Sequence, residues 1–107
     1  PLLRSFYRKA RRATMALTGE SMERFERRVA DTWQQLRDEH PNGNIALVSH
    51  YGTISQILMV SFGPPQDGPS KTSYRILPAS ITEIRAENGR LELARMSDTT
   101  HLAELSA

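Results

Sequence analysis

Four consecutive residues, His50-Tyr51-Gly52-Thr53, combine side-chain and backbone groups that suit a phosphate. A histidine donates one hydrogen bond when neutral and adds a full charge when protonated, while a threonine hydroxyl donates to an oxygen or caps a helix. Gly52 allows a ligand to approach the backbone closely, because glycine has no Cβ. A second interpretation stays open at this point, in which His50 satisfies a buried carbonyl and Gly52 serves a tight turn.

The neighbouring residues place this group between a strand and a helix. Residues 45–49, Ile-Ala-Leu-Val-Ser, form a short apolar run that predicts a strand covered on both faces, as in a parallel sheet. Gly52 and Thr53 begin a predicted helix, which ends at Gly63 before two prolines. In open α/β sheets, ligands bind beyond the carboxyl ends of strands, and the free amides of the following helix attract anions. The pattern therefore predicts a phosphate site at His50.

Two helices are predicted before this site. Residues 2–15 have a basic amphipathic pattern with apolar residues at three- and four-residue steps. The second helix begins after the N-cap Ser21 and ends before Pro41. Its apolar positions fall on one stripe: Met22, Phe25, Val29, Trp33 and Leu36. The stripe predicts a helix that packs one face against a core.

A loop and a β-hairpin are predicted after the site. Residues 66–73 are polar and rich in Gly, Pro and Ser, which predicts a loop. Residues 80–85 and 91–96 alternate apolar and polar side chains around Asn88-Gly89, a pair that favours a type I′ turn. The tail from residue 97 to 107 predicts a last helical turn.

The composition excludes several classes of protein. A chain of 107 residues allows one domain. It has no cysteine, which removes disulfides, zinc-thiolate sites and thiol nucleophiles and fits the reducing cytoplasm that we expect as its location. Its longest apolar run, residues 45–48, is far shorter than the ~18–20 residues of a membrane span, so we expect no membrane partner. The three histidines lack metal-ligand spacing, and we expect neither a metal nor a cofactor.

Five segments follow one another along the chain: Gly19-Glu20-Ser21 at a helix start, Arg28 seven residues later, and residues 43–50, 79–84 and 98–102. In order and spacing they resemble the C-terminal half of the histidine phosphatase superfamily, the phosphoglycerate-mutase-like phosphatases. The most specific piece is Val48-Ser49-His50 between an apolar strand and a Gly-Thr helix start.

The resemblance implies an α/β fold, the three-layer phosphoglycerate-mutase-like sandwich. Residues 1–107 would form the C-terminal portion of a single such domain, without its N-terminal strand. The implied reaction is phosphomonoester hydrolysis or phosphoryl transfer through a phosphohistidine. In that family a histidine in an Arg-His-Gly motif attacks phosphorus, a separate acid protonates the leaving oxygen, and Arg and His side chains stabilise the transferring group.

The resemblance also assigns roles to residues by position. His50 is implied to be the second pocket histidine, a catalytic residue that contacts the phosphate without forming the covalent bond. The candidate phosphate- and substrate-binding residues are Tyr51, Gly52, Thr53, Glu20 and Ser21, of which the last two match the helix-opening motif near the substrate entrance. The expected partner is a small phosphorylated substrate.

Three departures from the family pattern have consequences. No Arg-His-Gly occurs, because His40 and His101 stand in other contexts, so we expect this chain alone to lack the nucleophile and to be inactive. The start at Pro1, without Met, favours a segment of a longer protein. Tyr51 stands where the family often has Gly, and Pro78 where Asn often precedes Ala-Ser. Tyr51 therefore either narrows the pocket or packs outward.

Two other functions stay open. In the first, the chain is an inactive remnant that binds a partner through an uncovered sheet edge. That partner would be a second copy of the chain, which forms a homodimer, or a complementing N-terminal segment. In the second, the chain is a binding module whose basic N-terminal helix binds nucleic acid or an acidic partner. The net charge of +2 disfavours nucleic acid. That helix carries Arg4, Arg8, Lys9, Arg11 and Arg12.

A salt bridge is predicted between Glu20 and Arg28. Arg28 follows Glu20 by eight residues, which is about two helical turns. A direct pair therefore requires the Glu20 side chain to fold over the start of the helix. Other charges of that helix, Arg24 and Arg27, are expected on its solvated face.

Overall fold

The computed structural model describes residues 19–68, 70 and 72–106. Its elements are α1 (Met22–Glu39), α2 (Tyr51–Phe62), β1 (Ile81–Glu87), β2 (Arg90–Asp98) and a 3₁₀ helix (Thr100–Ser106). The helix predicted over residues 2–15 lies outside the described residues. The chain divides into two compact units, Pro1–Gly43 and Asn44–Ala107. Among the described helices, none has the length and apolar character that crossing a membrane requires.

Helix α1 begins and ends at the predicted signals. The Ser21 side chain caps it by accepting a hydrogen bond from the Arg24 N–H at 3.1 Å. Phe25 and Val29 are buried, as the apolar stripe predicts. At the other end, the backbone N–H of His40 donates to the carbonyl of Leu36 at 3.1 Å. The predicted helix over this segment is therefore confirmed.

Helix α2 begins one residue before the predicted start. Its face toward the core carries Leu58, which is completely buried, and Ser55, which is nearly so. The helix ends at Gly63, whose φ of 77° lies in the left-handed region that favours glycine. The N–H of Gly63 donates to the carbonyl of Met59 at 2.9 Å, which closes the last turn.

Strands β1 and β2 form the predicted antiparallel hairpin. Asn88 and Gly89 have φ values of 51° and 76°, and positive φ at both central residues defines the type I′ turn. Glu83 lies opposite Arg95 and accepts a hydrogen bond from it at 3.0 Å. After β2, hydrogen bonds from the following Thr100 to Asp98 lower the pKa of Asp98 to about 2. This aspartate therefore caps the 3₁₀ helix that the tail was predicted to contain.

The strand predicted over residues 45–49 is not present in the described structure. These residues have no regular secondary structure, and all of them are exposed, with Val48 fully exposed and Leu47 exposed to 46%. The prediction of a strand covered on both faces is therefore wrong for this structure. A strand exists only through hydrogen bonds to a neighbouring strand, and no described segment pairs with these residues.

Of the predicted fold, the described elements support the α/β class. Two α-helices and a two-stranded antiparallel sheet are consistent with a small α/β protein. The parallel sheet on which the sequence interpretation relied is not among the described elements. The three-layer sandwich and the assignment of residues 1–107 to part of one domain stay predictions.

Candidate functional site

His50 lies where the sequence pattern predicts, at the amino end of α2. It is the N-cap residue, with extended backbone (φ −97°, ψ 162°), and its carbonyl accepts from the N–H groups of Thr53 and Ile54, both at 3.1 Å. Its side chain makes no capping hydrogen bond, and the residue is exposed. Among the described residues, this ring makes no hydrogen bond to a carbonyl.

The backbone beside this ring offers further donors. The first N–H groups of an α-helix have no acceptor within the helix, and here they belong to Tyr51 and Gly52. In the described part of the chain no other group accepts from them. The partial positive charge of the helix start favours an anion at the same place. Thr53, half-buried in the first turn, has its own N–H bonded to the carbonyl of His50.

Tyr51 joins this helix start to the loop that follows the helix. Its hydroxyl donates to the Ser73 Oγ at 3.2 Å. The Ser73 hydroxyl also lies 3.3 Å from that of Ser70, which is buried and accepts from the Thr72 N–H at 3.2 Å. The sequence interpretation gave residues 66–73 only as a loop and missed that Ser73, near its end, contacts the first residue of α2, next to His50.

Tyr74 attaches the end of this loop to the middle and the C-cap of α2. Its N–H donates to the Ser55 Oγ at 2.8 Å, and its hydroxyl donates to the Gly63 carbonyl at 2.6 Å. The residue is 7% exposed, and this burial raises the pKa of the Tyr74 hydroxyl. The sequence interpretation missed this contact; Ser55, a polar residue on the buried face of an apolar helix, is the signal that could have indicated it.

Glu20 and Arg28 form the predicted pair in the other unit. Arg28 donates from Nε to Oε2 and from a terminal guanidinium nitrogen to Oε1 of Glu20, both at 2.9 Å. These hydrogen bonds hold the pKa of Glu20 below its ordinary value and raise the pKa of Arg28. The guanidinium carbon also lies 5.7 Å from the centre of the Phe25 ring. Glu20 is therefore ionised near neutral pH and has no proton to give to a leaving group.

The remaining charges near Glu20 are solvated, as the sequence predicted. Arg24 and Arg27 are exposed on α1. They line an open groove together with Gly19, Glu20, Arg28, Asp31 and Thr32. Ser21, a candidate binding residue, uses its hydroxyl oxygen to cap α1. Among the described residues, no three His, Asp or Glu side chains are grouped closely enough to hold a metal ion.

Comparison with known proteins identifies the family. The sequence model of the Histidine phosphatase superfamily (branch 1) matches residues 3–99 of the 107. The chain therefore belongs to the histidine phosphatase superfamily, and the resemblance to that family found in the sequence is confirmed. Searches among curated proteins and among solved structures gave no match. Family membership supports phosphatase or phosphotransfer chemistry for this chain.

Proposed function

We propose that the protein transfers the phosphoryl group of a small phosphomonoester, to water or to a second acceptor, and that the amino end of α2 holds that group. The observation that carries this proposal is the exposed His50 ring beside the open N–H groups of Tyr51 and Gly52. Membership of the histidine phosphatase superfamily supports the same chemistry.

The proposed role of these donors follows from the transition state. Phosphoryl transfer spreads negative charge over the non-bridging oxygens, and donors already in place stabilise that charge without reorganising. His50 contributes one ring N–H, and Tyr51 and Gly52 contribute backbone N–H groups that a side-chain substitution does not remove. The Thr53 hydroxyl is the fourth donor in this proposal.

The nucleophile is proposed to lie outside these 107 residues. Family members attack phosphorus with a histidine nitrogen, the bond from phosphorus to the leaving oxygen breaks, and a separate acid protonates that oxygen. Water then cleaves the phosphorus–nitrogen bond. His40 and His101 are outside any Arg-His-Gly motif, and Glu20 is paired and ionised, so none of them takes these roles.

The exposed apolar residues 45–48 could pair with the segment that carries the nucleophile. Ile45, Leu47 and Val48 are exposed, and the seven residues 44–50 carry no Asp, Glu, Lys or Arg. We propose that a complementing N-terminal segment pairs with them as a neighbouring strand and brings the nucleophile to His50. A second copy of the chain is the alternative occupant. The lack of cysteine keeps the cytoplasm as the proposed compartment.

The proposed function is tested by kinetics on the intact protein that carries this chain. We expect hydrolysis of p-nitrophenyl phosphate, and we expect His50→Ala to lower kcat/KM by about 10²–10³-fold, the usual loss for one transition-state donor. His40→Ala is the matched control, because His40 is an exposed histidine at the end of α1. Equal rates for His50→Ala and His40→Ala would refute the role of His50.

A further inference from the structure

Tyr51 occupies a defined place beside the proposed phosphate site. It follows His50 directly as the first residue of α2, and its hydroxyl is bonded to Ser73. The residue is 43% exposed, so its ring is not packed fully into the core. Part of the side chain is therefore open to solvent at the first turn of α2, which is the end of the helix that His50 caps.

The partner of Tyr51 is itself held in place. Ser73 contacts the buried Ser70, and the next residue, Tyr74, is bonded to Ser55 and Gly63. These contacts attach the loop to α2 from its first turn to its C-cap. We call the hydrogen bond between Tyr51 and Ser73 the latch. Because the loop behind it is fixed, the tyrosine ring cannot swing aside without breaking the latch.

We propose that Tyr51, held by Ser73, forms a wall beside His50 that restricts the alcohol half of the phosphomonoester to small groups. The proposal rests on the proposed function, since it takes the phosphate to lie at His50. A rigid side chain discriminates by overlap, which penalises a large leaving group and leaves a small one unaffected. The expected substrates are thus phosphate esters of small alcohols.

The test compares two aryl phosphates that differ in the size of the leaving group, p-nitrophenyl phosphate and 1-naphthyl phosphate, with the intact protein. The quantity measured is the ratio of the two kcat/KM values, which cancels general losses of activity. We expect Tyr51→Gly to raise the naphthyl-to-nitrophenyl ratio by about tenfold, the order of selectivity that steric fit supplies. Val60→Gly is the control, since Val60 is a similarly exposed position near the other end of α2.

Two further variants separate the latch from the ring. Tyr51→Phe and Ser73→Ala remove the same hydrogen bond by different means, and each should raise the ratio by about twofold. If the latch is the cause, the double variant shows no more change than either single variant. If Tyr51→Gly does not fold, Tyr51→Phe and Ser73→Ala still test whether Tyr51 restricts the leaving group.

The outcomes distinguish this inference from the function on which it rests. An unchanged ratio in Tyr51→Gly, or in both latch variants, overturns the wall even when His50→Ala shows the expected loss of kcat/KM. Hydrolysis by His50→Ala at the rate of His40→Ala overturns the proposed function and the wall with it. A raised ratio in Val60→Gly equal to that in Tyr51→Gly also overturns the wall, because a loosened helix then explains the result.

Discussion

Both carboxylate oxygens of Glu20 accept a hydrogen bond from Arg28, each at 2.9 Å, across eight residues of sequence. The guanidinium is also near the Phe25 ring, so it connects the residues before α1 to a buried position of that helix. A two-point pair of this kind fixes orientation as well as charge. It explains why the carboxylate folds back over the helix start instead of extending into solvent.

We predict that Glu20→Gln destabilises the protein in a pH-dependent manner. The pKa of Glu20 is lowered below its ordinary value of 4.5, chiefly by the hydrogen bonds from Arg28. A lowered folded-state pKa contributes stability above the unfolded value and loses it as the pH falls through the folded value. Urea unfolding should therefore separate wild type from Glu20→Gln at pH 7, and the difference should shrink below pH 4.5.

Glu23→Gln is the control for this prediction, because Glu23 lies in the first turn of α1 without an ion pair among the described contacts. Its effect on the free energy of unfolding at pH 7 should be smaller than that of Glu20→Gln. If Glu20→Gln leaves the stability at pH 7 unaltered, the pair contributes nothing and this account of it is wrong.

Tyr74→Phe should destabilise the second unit more than Tyr51→Phe. The Tyr74 hydroxyl is bonded to the Gly63 carbonyl at 2.6 Å in a buried residue, and its loss should cost about 1–2 kcal/mol of unfolding free energy. Tyr51 makes its hydrogen bond in an exposed setting, where the loss should be below about 0.5 kcal/mol. Chemical denaturation measures both, and equal costs would show that Tyr74 does not anchor the loop.

Val48→Lys tests whether another segment covers the exposed apolar run in the intact protein. If a strand pairs there and buries Val48, an unpaired lysine should cost about 2 kcal/mol or more of unfolding free energy. Val60→Lys is the control at an exposed valine of α2. If Val48→Lys lowers the free energy of unfolding no more than Val60→Lys does, Val48 remains exposed to solvent in the intact protein. No other strand then pairs with residues 45–48.

Features with a local cause were predictable from the sequence. Ser21 caps α1 because its hydroxyl reaches an amide three residues ahead, and Gly63 ends α2 because glycine tolerates a positive φ. The Asn88-Gly89 pair sets the hairpin for the same reason. Each of these outcomes depends on a few neighbouring residues, which the sequence displays directly.

Features that depend on distant residues were not predictable in the same way. The apolar run at residues 45–49 has the composition of a strand, but a strand requires a partner, and none is described. The contact between Tyr51 and Ser73 joins residues 22 positions apart, and nothing in the loop sequence indicates it. The place of His50 just before a helix was predictable because the helix start is a local signal, whereas the strand predicted to end at His50 is not described.

The most direct measurement of the central claim is a titration of the ¹⁵N-labelled intact protein with inorganic phosphate, followed at the backbone amides of Tyr51 and Gly52. We predict that both amides shift in a saturable manner and that His50→Ala weakens the binding about tenfold or more, while His40→Ala does not. Amides of Tyr51 and Gly52 that do not respond to phosphate, or an affinity unchanged in His50→Ala, would contradict the account.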